Sequence, residues 1–206
     1  STWSSGLHWH ETHDEYLKVI KGTIRVRLGD SNHVIKATDE AQPEIKVDRY
    51  VWHEWQRAAP DGEEVVVIER TEPNDNEKAL FFWNLNGVIL NAPKLLEDPS
   101  SLVSRLPSRL QGLFLDFWIP LNLFVIFRSL DNIPVFLNAP GLFQTSNNRL
   151  RGLMQALDRG VSHFVLLLAS WIGWVLGLQP VQSRYTPADS YAAWQYKRLA
   201  VEKKHA

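Results

Sequence analysis

The sequence contains no cysteine among its 206 residues. This absence excludes a disulfide framework, a thiolate zinc site and a cysteine nucleophile. It is typical of intracellular proteins, and we expect that location. The chain starts with Ser1 rather than Met, and no basic segment followed by an apolar stretch indicates a secretory signal. The missing Met indicates processing, trimming or further sequence before Ser1.

The sequence also lacks a charge excess of either sign, with 22 basic and 23 acidic residues. No basic run is interleaved with aromatic residues, so we expect no nucleic-acid partner. Apolar residues make up 45% of the chain, which is enough for a sizeable core. Tryptophan is frequent, with nine copies.

The first part of the chain is predicted to form short strands bounded by turn residues. Residues 23–28 alternate apolar and polar side chains, as a half-buried strand does. Further strands are predicted at 16–20, 33–36, 44–47, 51–56 and 64–68. Strands of this length and spacing favour a sandwich or a barrel.

A polar, turn-rich stretch at 72–77 divides the chain, and we predict a strand domain at 1–72 and a helical, strongly apolar region at 73–206. In the second region, 112–127 is densely apolar, 138–141 reads as a loop, and 99–101 could cap a helix starting near Leu102. An amphipathic helix is predicted at 147–159. Its apolar stripe comprises Leu150, Leu153, Met154 and Leu157.

The apolar second half has three interpretations. Its helices could pack on the strand domain or across a dimer interface, lie in a membrane surface, or span a bilayer. Residues 160–183 carry no formal charge and approach the length of a span. Gly173, Gly177 and Pro180 argue against a span, whereas Trp171 and Trp174 resemble an interfacial aromatic pair.

Four residues of the strand domain form a possible metal-ligand set. His8 and His10 are two residues apart, so on a strand both side chains point to one face. Glu15 follows five residues later, and His53 lies in a separate β-rich run. Three imidazoles and a carboxylate suit Fe(II), Mn(II), Ni(II), Cu(II) or Zn(II).

The spacing His8-x-His10-x4-Glu15-x6-Gly22 resembles the first motif of the cupin superfamily, G-x5-H-x-H-x3/4-E-x6-G; only the leading glycine fails, since Thr2 stands there. The second motif, G-x5-P-x-G-x2-H-x3-N, is degraded. His53 fits its histidine, and its proline, glycine and asparagine positions hold Asp48, Tyr50 and Arg57. The resemblance covers residues 5–70.

This resemblance implies a mainly β fold, an antiparallel jelly-roll barrel with one divalent metal ion in its mouth. The ligands carried over are His8, His10, Glu15 and His53, with iron the first candidate and manganese, nickel, copper or zinc as alternatives. Cupin barrels usually have strands before the first motif, and here the motif starts near the beginning of the chain. A strand swapped between subunits is therefore plausible, and we expect a homodimer.

Residues around these ligands have less specific interpretations. Glu11 and His13 could be ligands in another register, but a solvated turn is the simpler interpretation. Trp9 and Trp52 alternate with the ligands and are predicted to point away from the metal into a packing layer.

Tyr50 and Trp55, close to His53, are predicted to line a substrate pocket, with core packing as the alternative. Arg25 and Arg27 share one face of their strand. They would be exposed or lie at the barrel mouth, where they could bind a substrate carboxylate.

Three functions are compatible with this site. The first is a metal-dependent oxygenase acting on a small hydrophobic substrate, with Glu15 able to act as a base. The second is an isomerase, epimerase or cyclase that uses the metal as a Lewis acid. The third is a non-enzymatic binding protein.

Overall fold

The computed structural model describes residues 3–98, 103–143 and 147–205, with side chains up to residue 200. The chain forms two compact units, and it passes between them three times. The strand unit comprises Ser1–Asp75 and Asp131–Val165, and the helical unit comprises Asn76–Leu130 and Leu166–Ala206. The predicted domain division at residue 72 stays a prediction.

Eight strands build two antiparallel sheets in the strand unit. The strands are β1 (His8–Trp9), β2 (Asp14–Lys21), β3 (Thr23–Leu28), β4 (Ser31–Lys36), β5 (Glu44–Val47), β6 (His53–Arg57), β7 (Val66–Glu72) and β8 (Ile133–Pro134). One sheet has the order β4-β3-β6-β1-β8, and the other has the order β5-β2-β7. The two sheets are antiparallel, as predicted, but within the described residues their closure into a barrel is not shown.

The core of the strand unit consists of side chains that alternate along the strands. In β2, Leu17 and Val19 are fully buried while their neighbours are partly exposed. In β3, Ile24 and Val26 are buried in the same cluster as the β2 residues. Alternation of this kind places one face of each strand inward, and burying it contributes the hydrophobic free energy that holds the sheets in place.

The turn between β2 and β3 requires glycine. Gly22 has a φ of 81°, and a Cβ atom there would lie 2.5 Å from the carbonyl oxygen of Glu64. A side chain would therefore be strained by both its backbone conformation and the lack of space. This explains in physical terms why the spacing pattern has glycine at this position.

The face of the larger sheet that points away from the Leu17 and Ile24 core packs against α5 (Asn148–Val175). Trp9 is fully buried and stacks on Trp52, with ring centroids 6.0 Å apart. The imidazole of His163 meets Trp9 edge-on at 6.0 Å. Both tryptophans point away from the neighbouring histidines into a packing layer, as their alternation in the sequence predicted.

The helical unit contains five further helical segments besides the end of α5. They are α1 (Glu77–Asn91), α2 (Lys94–Glu97), a 3-10 turn (Val103–Arg105), α3 (Ser108–Ser129) and α6 (Ala188–His205). Its core joins Leu80, Phe81 and Val88 of α1 to Ile126 of α3 and to Val181.

The helix α3 is long and apolar enough to cross a membrane by length and composition, with a mean hydropathy of 1.7. Only 22% of its most apolar stretch is buried. A single helix of this kind does not establish a membrane span. The uncharged segment 160–183 is not helical throughout, because α5 ends at Val175 and Gly177 follows with a φ of 71°.

Three expectations need correction. Helices hold more than twice as many residues as strands, so the whole chain is not mainly β. The loop expected at 138–141 contains a short helix, α4 (Ala139–Leu142), held by the Asp158 carboxylate, which accepts the Ala139 N–H at 2.9 Å. The helix start expected at 99–102 lies outside the described residues.

The apolar stripe predicted on the first half of α5 is not its buried face. Leu150, Leu153 and Leu157 are 42%, 68% and 57% exposed. The fully buried residues there are instead Asp158 and Ser162. The spacing of the leucines correctly predicts a helix, but this part of the helix has its polar face buried.

Candidate metal centre

Strand pairing brings two of the predicted ligands side by side. In the antiparallel pair β1–β6, His8 lies directly opposite His53. Residues in register on adjacent strands project to the same face of the sheet. Their imidazole rings are 4.2 Å apart, centroid to centroid. His10, two residues beyond His8, lies 5.2 Å from His53 by the same measure.

The fourth residue comes from the other sheet. Glu15 lies in β2, on the inward face that it shares with Leu17 and Val19, and is 1% exposed. Its Oε2 is 2.9 Å from Nε2 of His10, and its Oε1 is 3.5 Å from Nε2 of His53. The carboxylate therefore joins the two sheets through the histidines at one end of the hydrophobic core.

All four predicted ligands are buried and converge on one point. His8, His10 and His53 are 5%, 4% and 0% exposed. One potential ligand atom from each of the four residues lies within 4.8 Å of all the others. Metal–nitrogen and metal–oxygen bonds of about 2.1 Å place neighbouring donors about 3.0 Å apart and opposite donors about 4.2 Å apart in an octahedron. The 4.8 Å limit of this cluster is close to the larger of these distances, so the four donors could reach one ion.

Backbone carbonyls fix the orientation of the three imidazoles. Nδ1 of His8 lies 2.7 Å from the Gly6 carbonyl oxygen, and Nδ1 of His53 lies 3.0 Å from that of Val51. Nδ1 of His10 contacts the carbonyl oxygen of Asp131. A carbonyl can only accept, so each Nδ1 donates a proton, and Nε2 is the ring nitrogen that faces the other members of the cluster. This arrangement is characteristic of metal-binding histidines.

Nε2 of His53 is a buried nitrogen, and none of the described residues forms a hydrogen bond with it. Its separation from Glu15 satisfies the distance for an ion pair but not for a hydrogen bond. At 3.5 Å, the contact between Nε2 of His53 and Oε1 of Glu15 is too long for a strong hydrogen bond. A buried acceptor left alone in this way is costly, and a cation would remove that cost. The residues therefore fit a divalent metal ion.

Asp131 organises the loop that carries the ligands. Its carboxylate accepts hydrogen bonds from the backbone N–H groups of Glu11, Thr12 and His13, at 2.7, 2.9 and 3.1 Å. It also accepts from the Thr12 hydroxyl at 2.7 Å. Burial alone would raise the pKa of Asp131, but these hydrogen bonds outweigh it and lower the pKa below its ordinary value.

Asp131 thus holds His10 through its backbone and the loop between His10 and Glu15 through its side chain. It has a φ of 48°, in the left-handed region that non-glycine residues seldom adopt. No pattern in the sequence identified this residue, because it follows the apolar helix α3 and lies more than a hundred positions from the loop.

Glu11 and His13, the other possible metal ligands in this loop, contact residues outside the four-residue cluster. His13 is buried, with Nδ1 2.9 Å from Asp131 Oδ2, so the solvated turn expected for it is wrong. Oε1 of Glu11 accepts a hydrogen bond from Nε1 of Trp9 at 3.2 Å and lies 3.0 Å from Nε2 of His163. Neither residue belongs to the four-residue cluster.

Trp55 and Tyr50, both predicted to line a substrate pocket, occupy different positions. Trp55 packs on the core cluster, and its Nε1 donates to Glu69 at 2.8 Å. Tyr50 lies in the turn before β6 with a φ of 64° and is 51% exposed, so strand alternation does not place it beside His53. Their roles in binding stay predictions.

Arg25 and Arg27 alternate with Ile24 and Val26, so they lie on the sheet face opposite the core. Arg27 donates from Nε to the Gly29 carbonyl at 2.9 Å. The two side chains share a face, as the sequence indicated, but the histidine cluster is on the other side of the sheet. Binding of a substrate carboxylate by these arginines stays a prediction.

No family model matches the chain, and no curated protein matches it. Among solved structures, KdgF from Halomonas sp. is 18% identical with a TM-score of 0.30, over 37% of this chain and 65% of that one. The capsular polysaccharide assembling protein CapF from Staphylococcus aureus is 18% identical with a TM-score of 0.29, over 36% of this chain and 20% of that one. The chain thus spans less than two thirds of either protein. Because both TM-scores are this low, we base neither fold nor function on them.

Proposed function

We propose that the protein is a metal-dependent enzyme that acts on a small hydrophobic organic molecule, and that it is an oxygenase. The observation that carries the proposal is the buried cluster of three histidines and one glutamate. Its Nδ1 atoms are anchored, and Nε2 of His53 has no hydrogen-bond partner in the described part of the chain. Buried acceptors without a partner are uncommon in folded proteins, and a bound cation would satisfy this one.

The donor set supports a redox-capable divalent ion, with iron the first candidate. Nitrogen donors from His8, His10 and His53 with one oxygen donor from Glu15 suit iron, manganese, nickel, copper or zinc. An ion held by these four residues would supply the redox chemistry that an oxygenase requires.

The surroundings of the cluster favour an apolar substrate. Glu15 is in register with Val47, and Leu17 follows on the same inward face. Both are buried, so the interior next to the carboxylate is hydrophobic. In such surroundings, charge interactions are stronger than in water. Glu15 is the residue that we propose as the base, because it lies beside two imidazoles that can share a proton.

The contact between Glu15 and His10 favours a second candidate. Their separation of 2.9 Å is short enough for proton transfer. An isomerase, epimerase or cyclase would use this pair to move a proton on an enolisable carbonyl, with the metal as Lewis acid. This chemistry consumes no dioxygen.

Oxygen consumption separates the two candidates. Protein loaded with Fe(II) would be mixed with a panel of small aromatic and polyketide-like compounds, with oxygen uptake and product mass measured together. An oxygenase is expected to consume dioxygen and to give products heavier by oxygen atoms. Anaerobic turnover with zinc-loaded protein would contradict the oxygenase and support the isomerase class.

Two variants control this experiment. His53→Ala removes one nitrogen donor and is expected to abolish turnover, whereas His33→Ala changes an exposed histidine on β4 and is expected to have no effect. If His53→Ala leaves metal content and all behaviour unchanged, the enzyme proposal fails and a non-enzymatic binding protein becomes the better account.

A further inference from the structure

A small cavity lies on the outer face of the larger sheet, opposite the histidine cluster. It has a volume of about 140 Å³. Arg27 of β3 and Trp52 before β6 line one side, and Arg159 of α5 lines the other. All three belong to the strand unit. Its position makes it separate from the metal centre, because the cluster histidines and Trp52 project to opposite faces of the sheet.

The two arginines of this cavity form no salt bridge within the described residues. Arg27 uses Nε to donate to the Gly29 carbonyl, which leaves its terminal nitrogens available. Neither Arg27 nor Arg159 has an ion-pair partner among the residues that the structure describes. The one carboxylate in the lining, Asp30, is paired with Arg151 at 2.6 Å. The lining residues therefore carry a net positive charge, and Glu54 lies opposite Arg27 in the β3–β6 pair, outside the lining.

Two buried donors in the same lining lack acceptors. Nε of Arg159 and Nε1 of Trp52 are both buried without a hydrogen-bond partner in the described part of the chain. Buried donors of this kind are uncommon in folded proteins, and where they occur a water or an ion usually satisfies them. One of these donors belongs to Arg159 itself, so two guanidinium groups and the Trp52 indole together point to a bound group that accepts hydrogen bonds and carries negative charge.

Tyr50 lines the cavity and has a strained backbone conformation. Its φ of 64° is rare for a residue with a bulky side chain. Its N–H donates to the His10 carbonyl at 2.7 Å, which fixes the turn. Its ring is half exposed and contributes an aromatic wall. Strain of this kind persists where the surrounding structure maintains it, often at binding sites.

We propose that this cavity binds a small anion, a carboxylate or a phosphate group, between Arg27 and Arg159. Planar guanidinium groups match the oxygen geometry of both anions and bind them through paired hydrogen bonds. A volume of about 140 Å³ accommodates such a group, since a water molecule occupies about 30 Å³ in the liquid. The site is independent of the proposed metal chemistry.

Calorimetric titration of the full chain with inorganic phosphate and, separately, with benzoate tests this site, with sodium chloride holding the ionic strength constant. At least one of the two anions is expected to bind, and the one that binds more tightly identifies the class of ligand. Arg159→Gln and Arg27→Gln should each weaken binding by about tenfold or more, as expected for a lost charge-assisted hydrogen bond. Arg159→Lys should restore only part of the affinity, because lysine keeps the charge but not the fork.

Arg25→Gln is the matched control, since Arg25 lies on the same face of β3 but does not line the cavity. It is expected to bind as the unmodified protein does, and metal content should be unchanged in all these variants. Circular dichroism would verify that each variant is folded. The proposal is overturned if neither anion binds above the chloride control, or if the Arg159 and Arg27 variants bind like Arg25→Gln.

Discussion

The two units treat their buried polar side chains differently. In the helical unit, Asn84 is fully buried and uses both ends of its amide. Its Nδ2 donates to the Leu80 carbonyl at 2.8 Å and to the Thr186 hydroxyl at 3.0 Å, and its Oδ1 accepts the Gln182 N–H at 2.7 Å. In the strand unit, His53 is equally buried, yet its Nε2 has no hydrogen-bond partner among the residues that the structure describes.

We infer from this difference that Asn84 stabilises the fold, whereas His53 is available to bind a ligand. A satisfied buried amide contributes to stability without any additional molecule. A buried imidazole with an anchored Nδ1 and no hydrogen-bond partner at Nε2 is suited to bind a cation through that nitrogen. The comparison predicts that metal affects the strand unit through His53 and does not act through Asn84.

The largest expected effect is stabilisation by metal. Adding a divalent ion at one hundred times its dissociation constant should raise the free energy of unfolding by about 2.7 kcal/mol. His53→Ala should remove most of this gain, whereas His33→Ala, at an exposed position, should keep it. Thermal unfolding with and without chelator measures both. An equal metal effect in the two variants would break the comparison.

The next effect concerns Asp131, which positions the ligand loop. Asp131→Asn replaces an acceptor oxygen by an amide nitrogen that faces backbone donors, so the loop between His10 and Glu15 should lose its orientation. Metal affinity is expected to fall by about 10- to 100-fold, as for other residues that orient ligands. Metal titration measures this fall. Asp39→Asn, at an exposed position, should bind metal normally, and equal affinities in both variants would contradict the assignment.

A smaller effect is expected in the helical unit. Asn84→Ala should lower the free energy of unfolding by about 1–3 kcal/mol, because the Gln182 N–H loses its acceptor. Asn86→Ala on the same helix is the control, since Asn86 is exposed and alanine favours helix. The loss at Asn84 should be the same with and without metal. A loss that disappears on adding metal would show that the two units respond together.

The smallest effect on stability is expected at the exposed apolar end of α5. Trp174 is 76% exposed, so Trp174→Lys should change the free energy of unfolding by less than about 0.5 kcal/mol. We predict that this surface joins two copies of the chain, so the variant should self-associate less in sedimentation experiments. Tyr196→Lys, at a residue that is 77% exposed on α6, is the control. Loss of vesicle binding instead would favour the membrane interpretation.

The strands and the four candidate ligands could be predicted because both depend on local spacing. Alternation along residues 23–28 sets the strand β3, and the interval between His8 and His10 places both on one face. Six of the eight strands were expected within a few residues of their observed bounds. The remaining two, β1 and β8, have two residues each, too few for a periodic pattern.

Features that depend on distant contacts could not be predicted. The role of Asp131 arises because the segment before β8 returns to the strand unit beside the ligand loop. The prediction of the buried face of α5 was also wrong, because the residues buried there are Asp158 and Ser162. Periodicity identifies a helix, but which face packs inward depends on the surface that the helix meets. Burial raises the pKa of Asp158, which is consistent with that inward position.

The central claim is that His8, His10, Glu15 and His53 together hold a divalent metal ion. Elemental analysis of the full chain purified without chelators tests it most directly, with Glu15→Ala and His33→Ala prepared in parallel. We predict roughly one ion per chain in the unmodified protein and in His33→Ala, and a strongly reduced content in Glu15→Ala. A content near zero in all three, which added metal does not restore, would contradict the account.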